Sequence, residues 1–147
     1  MKNYRFVLLG ALLLSIAAPC FAHHMAVVVN KNNKIQNVSS AHLSKMFKLE
    51  TRKWPTGEDV VLVLHKSSDD EVTTLGRLNK MTAAEVRSFL AGHRDSIRIA
   101  DSDADVIELV AATPGAIGFV AERSINDRVS VVRVDGKLPL EAGYLPH

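Results

Sequence analysis

Val60-Val61-Leu62-Val63-Leu64 is five consecutive apolar residues, three of them Val. A strand with one wet face alternates apolar and polar residues, and this run does not. It therefore reads as a strand covered on both faces, which requires helices above and below a sheet. Trp54-Pro55-Thr56-Gly57 supplies turn chemistry before it, and polar Lys66–Asp70 follows it.

The rest of the chain supplies the layers. Ala26–Val29 and Ile97–Ala100 read as short strands, Ile117–Val120 as another, and Val129–Val134 as the last. Lys31–Asn37 reads as a loop. Ser39 or Ser40 can cap a helix with Leu43, Met46 and Phe47 at i, i+3, i+4 spacing. A helix is expected from about Asp69 to Leu78, with Val72 and Leu75 inward. Thr82-Ala83-Ala84-Glu85 is a capping-box pattern opening a helix with Val86, Phe89 and Leu90 on one face, stopped near Gly92. Ser102 starts a further helix, marked by Val106, Leu109, Val110 and Thr113 and stopped by Pro114-Gly115. The tail Gly136–His147 is rich in turn-formers and lacks periodicity. Strands alternating with helices imply an α/β sheet with parallel crossovers. Ligands of such sheets sit beyond the carboxyl ends of strands, at helix N-termini, which selects the turns Lys66–Asp70 and Asp101–Asp103.

Met1–Ala22 reads as a cleavable signal peptide, leaving one domain over residues 23–147. Lys2 and Arg5 form a basic start, Phe6–Ala18 is apolar apart from Gly10 and Ser15, and Cys20-Phe21-Ala22 fits a signal-peptidase site. The apolar run is shorter than the roughly 20 residues that span a bilayer. A lipoprotein anchored at Cys20 is the alternative, against which Pro19 stands where a lipobox has Gly or Ala. The expected location is the periplasm. The full chain carries 18 Lys+Arg and 16 Asp+Glu, so loss of Lys2 and Arg5 makes the mature chain formally neutral. No basic field then remains for nucleic acid. Cys20 is the sole cysteine, so cleavage removes disulfide and thiolate chemistry as well.

No enzyme motif is present, neither Gly-x-Ser-x-Gly, a Walker loop, Gly-x-Gly-x-x-Gly nor His-Glu-x-x-His. Asp69, Asp70 and Glu71 read as first-turn acids complementing a helix dipole. Asp101, Asp103 and Asp105 lack the Gly and Glu that complete a calcium loop. The six histidines form no ligand pair at helical spacing, and no metal or cofactor is expected. An amino-terminal His23 would place an amine beside an imidazole, a copper-chelating pair, with a frayed terminus as the alternative. The best anion candidate is Lys66, Ser67 and Ser68, with Ser102 close by: a cation, small hydroxyls and free N–H groups at a helix start. Ser68 reads equally as a plain N-cap.

AVVVN (Ala26–Asn30), LSKMFKLETRKW (Leu43–Trp54), PTGEDVVLVLH (Pro55–His65) and DADVIELVAATPGAIGFV (Asp103–Val120) together resemble a known family. They are similar to the phosphate-binding periplasmic proteins of ABC importers, and in particular to small single-domain relatives. The family has a helix ending Ile-Phe-x-Gly, then a Trp, a Gly turn and a strand, with Thr-Pro-Gly-Ala-Ile-Gly-Tyr-Val later. Met46 and Leu49 replace its Ile and Gly here. The resemblance implies one lobe of a type 2 periplasmic-binding-protein fold, a mixed sheet flanked by helices, and a binding protein rather than an enzyme.

The implied ligand is phosphate or another oxyanion, and the implied partner an ABC importer or other membrane protein. The family's Arg-x-Asp-x-Ser-Gly-Thr phosphate segment falls on His65–Glu71, where Arg becomes His65, Asp becomes Ser67 and Ser-Gly-Thr becomes Asp69-Asp70-Glu71. These departures remove a bidentate fork and add negative charge, so weak or lost anion binding is expected. The alternative is an interaction module without a ligand, docking to a membrane partner or forming a homodimer.

Overall fold

The computed structural model describes residues 24–66 and 68–145. The leader 1–22, His23, Ser67, Pro146 and His147 lie outside that set. Strand β1 (Met25–Asn30) is buried along its whole length. The two-residue strand β2 (Asn37–Val38) closes the expected loop and leads to helix α1 (Ser40–Phe47). Ser39 caps α1 by accepting the His42 N–H at 3.1 Å, and Leu43, Met46 and Phe47 are buried as their spacing predicts. Beyond α1, Leu49 has φ 61°, the left-handed conformation that glycine adopts without strain. The glycine in the resembling pattern therefore has a backbone reason, and the turn persists here without it.

Strand β3 (Val61–His65) lies one residue later than expected, with its three central residues buried. Helix α2 (Asp69–Asn79) and helix α3 (Ala83–Gly92) follow, the latter with both capping-box bonds between Thr82 and Glu85. Next come strand β4 (Ile97–Ala100), helix α4 (Asp103–Ala112) and strand β5 (Ala116–Ala121). Asn30 Nδ2 donates to the Val110 and Ala111 carbonyls at 3.0 Å each, satisfying the end of α4 where Pro114 stops it. The expected strand Val129–Val134 breaks at Val132 into β6 (Val129–Val131) and β7 (Arg133–Val134). β6 joins the main sheet, whereas β7 pairs with β2 in a separate parallel ribbon.

The main sheet has the order β4-β3-β5-β1-β6. β3 is parallel to both β4 and β5, as crossovers require, while β1 runs antiparallel to β5 and β6. The sheet is therefore mixed. Strand alternation divides its side chains between two apolar clusters. Val27, Val29, Leu62, Leu64, Ile117 and Phe119 face α1, α2 and α3. Val28, Val63 and Val120 face α4 through Val106, Ile107 and Val110. Trp54 closes the first cluster, 3% exposed, with Nε1 donating to the Gly115 carbonyl at 2.9 Å. The tail, featureless in sequence, also contributes: Tyr144 and Leu145 are buried in that cluster.

Candidate functional site

The carboxyl ends of the parallel strands β3, β4 and β5 lie at one edge of the sheet. β3 and β4 end at His65 and Ala100, and the Lys66 N–H donates to the Ala100 carbonyl at 2.8 Å, locking the two turns side by side. The N-termini of α2 and α4 open at this edge. Lys66 is exposed on it. Ser68 is the N-cap of α2 and accepts the Glu71 N–H at 3.1 Å; Ser102 caps α4 and accepts the Asp105 N–H at 3.1 Å. Lys66, Ser68 and Ser102 thus lie at the same edge, with both serines in capping roles. A capping hydroxyl keeps its own proton and can donate it. Ser67 lies outside the described residues.

The three acids after Ser68 differ from one another. Asp69 is exposed and meets Arg87 at 2.9 Å. Asp70 is exposed on the first turn, as dipole complement predicts. Glu71 turns inward instead and is 2% exposed. Its carboxylate oxygens accept the His65 N–H at 3.2 and 3.1 Å. Burial pushes its pKa well above the ordinary 4.5, the His65 N–H opposes that rise, and the charge of Asp103 adds to it. Asp103 is engaged across the sheet: Oδ2 accepts the Ala121 N–H at 3.0 Å and the Ser124 hydroxyl at 2.8 Å. The edge that could receive an anion thus holds two inward-turned carboxyl groups. Along the sequence Glu71 groups with its neighbours. The Ser68-x-x-Glu71 spacing is that of a capping box, but the contact made, on the His65 N–H, lies upstream of the N-cap that this spacing addresses, so the spacing does not announce it.

Glu71 makes stability pH-dependent in a defined direction. A carboxyl with a raised folded pKa holds its proton more tightly folded than unfolded. Its contribution is fully present below about 4.5 and declines as pH rises towards the raised value. Every tenfold difference in proton affinity between the two states is worth about 1.4 kcal/mol. Glu71→Gln keeps an acceptor for the His65 N–H and removes the titration. Urea midpoints of the variant are expected to exceed those of the parent at neutral pH, with the gap shrinking towards pH 4.5. A gap that widens as pH falls contradicts the assignment.

Among the described residues no group of His, Cys, Asp and Glu is arranged to hold a metal ion, and no helix is long and apolar enough to cross a membrane. The molecule is a single α/β lobe of the type 2 periplasmic-binding-protein kind, with helix N-termini presented at one edge.

Its nearer likeness is to phosphate-binding proteins. The "Phosphate-binding protein PstS" of Bacillus subtilis (strain 168) is 29% identical over 119 residues, covering 78% of this chain and 37% of that protein. An ABC-type phosphate transport receptor from Vibrio cholerae superposes with a TM-score of 0.64 at 16% identity, over 79% of this chain and 48% of that one. PstS from Borrelia burgdorferi gives 0.64 at 20% identity, over 79% and 49%. No protein-family model matches the chain. The chain has a phosphate-binding-protein-like fold and spans about half the length of these structures, as the single-lobe reading expects. Its relatives are named for phosphate binding and for phosphate transport.

Proposed function

We propose that this is an exported, solute-binding-like protein whose single lobe holds phosphate or another small oxyanion only weakly, at the edge formed by Lys66, Ser67, Ser68 and Ser102. The fold and its relatives support the class. The weakness rests on one observation: the buried carboxyl of Glu71 already occupies the start of α2, on the His65 N–H. The charge of Asp103 is close enough to raise the pKa of Glu71 further, so the helix starts already carry negative charge against an entering dianion. A half-cleft also leaves water on the ligand, which weakens each charge-assisted contact. The proposed chain begins at His23 and works in the periplasm with an ABC importer or another membrane partner; a lipidated Cys20 on the recovered protein would place it on a membrane instead.

Calorimetry of the purified monomer with phosphate at pH 7 tests the site. The expected dissociation constant is no tighter than roughly millimolar, about −4 kcal/mol. A micromolar constant lost on changing Ser67 and Ser68 to Ala restores a simple phosphate-carrier role. The same Glu71 observation favours a second reading, an interaction module that keeps the scaffold without a small ligand, for which no phosphate heat is expected at any concentration tested.

A further inference from the structure

β4 is the last strand on its side of the sheet. Its residues Ile97–Ala100 pair in register with Leu62–His65 of β3. The Ala100 carbonyl accepts the Lys66 N–H, and in a parallel ladder alternate residues address the same neighbour. Ala100 and Arg98 therefore point their backbone groups at β3, and Ile97 and Ile99 point theirs outward. Open strand edges of this kind are templates for a further strand, and most proteins cover them.

This edge adjoins a groove. Between α3 and β4 runs a depression of about 630 Å³, floored by Val72, Leu90, Ala91 and Ile99. Ile99 shares the sheet face of its partner Leu64 and is 39% exposed, one of few large apolar side chains left open among the described residues. Lys66, Arg87 and Arg94 line the groove, against Asp69 and Asp101. Arg87 is already paired with Asp69, so Lys66 and Arg94 outnumber the one remaining acid. On the opposite face of the same strand, Arg98 is exposed.

We propose that the β4 edge and this groove bind an extended peptide segment of a partner protein, alternating apolar and acidic residues, as an added strand. The chemistry follows from the pleat. Successive side chains of an added strand point to opposite faces. One set then lies on the apolar floor under α3, and the other stands beside Arg98, where a carboxylate is the complement. Main-chain hydrogen bonds to Ile97 and Ile99 supply affinity without sequence preference, and the groove supplies selection. A second copy of this chain suits the edge less well. The two-fold register that uses both Ile97 and Ile99 places Arg98 directly opposite its own copy, a like-charge contact. The groove shares Lys66 and the first residue of α2, Asp69, with the proposed anion edge, but the outward backbone of Ile97 and Ile99 and the side chain of Arg98 lie outside it, so a test on those residues is read independently of phosphate binding.

The probe is a fluorescein-labelled octapeptide of alternating Val and Glu, read by anisotropy against the full-length protein. Saturable binding in the micromolar range is expected. A Val–Lys octapeptide, and a Val–Glu octapeptide N-methylated on the residues facing β4, should bind at least about tenfold more weakly. Arg98→Glu, on the exposed face and away from the core, should reverse the preference between the Glu and Lys peptides. Ile99→Pro removes one outward N–H at an edge position that tolerates proline and should reduce binding of the Glu peptide by a similar factor. Absence of saturation at millimolar peptide, equal binding of the N-methylated peptide, or indifference to Arg98→Glu overturns the proposal. A dimer in sedimentation that Ile99→Pro dissociates, without peptide binding, overturns it in favour of self-pairing.

Discussion

Tyr144→Ala is expected to destabilise the domain by about 3–5 kcal/mol, the range for removing a buried aromatic side chain. The hydroxyl alone accounts for a separable part. Tyr144 is 2% exposed, and its oxygen stands between two backbone groups. It accepts the Val27 N–H at 3.1 Å and donates to the Val132 carbonyl at 2.6 Å. Val132 is where the chain leaves β6 for β7, and its own N–H still bonds the Val27 carbonyl at 3.0 Å. The tyrosine hydroxyl continues the β1–β6 ladder for one rung past the point where the strand departs. Tyr144→Phe keeps the ring but orphans a buried donor and a buried acceptor, each worth about 1–3 kcal/mol. Burial also pushes the phenol from 10.0 to about 12, against a smaller opposing effect of the Val27 N–H. The folded state thus keeps the proton longer than the unfolded one, and stability falls as pH rises from 10 to 12. Urea midpoints of both variants, with amide exchange at Val27, measure the two parts. If Tyr144→Phe leaves the midpoint and the Val27 exchange rate unchanged, the hydroxyl has no such role.

The elements legible in the sequence were those whose determinants are local. Ser39, Ser68, Thr82 and Ser102 all cap the helices they were expected to start. The run Val60–Leu64 announced a strand between two helix layers, and β3 is that strand, displaced by one residue. What escaped depends on distant partners. The break of the last strand at Val132 has no turn residue to mark it; it is imposed by β2 and by Tyr144, which lies 12 residues away in sequence. The same partnership explains why a tail without periodicity enters the core. Of the candidate site, the meeting of the β3 and β4 ends with the starts of α2 and α4 was legible, because a parallel strand ends where its following helix begins. The inward turn of Glu71 was not. Three consecutive acids look equivalent along a sequence, and only the third projects back over the helix start.

The most specific segment of the resemblance, Thr113-Pro114-Gly115-Ala116-Ile117-Gly118-Phe119-Val120, serves the lobe itself, and Gly115→Ala is expected to reveal it by a loss of at least about 4 kcal/mol, in the exceptional tail of single substitutions. Gly115 has φ +76°, and a Cβ there would lie 2.1 Å from the Asp59 carbonyl oxygen. That obstacle is backbone and cannot rotate away. The left-handed conformation alone costs a non-glycine residue roughly 1–2 kcal/mol. The rest arises because the segments must separate, and their separation undoes other bonds. The Gly115 carbonyl accepts Trp54 Nε1 at 2.9 Å and the Val61 N–H at 3.1 Å, which holds the start of the β3–β5 ladder. Gly57→Ala isolates the conformational part, since Gly57 has φ +93° with nothing within 4 Å of its Cβ position. It should cost only the roughly 1–2 kcal/mol of the backbone conformation. Denaturation midpoints of the two variants decide the point, with Trp54 fluorescence reporting whether its pocket opens. Equal midpoints would mean that close approach at Gly115 contributes nothing. A gap of several kcal/mol would place this motif in the scaffold, distinct from the His65–Glu71 segment where the chain departs from the family pattern.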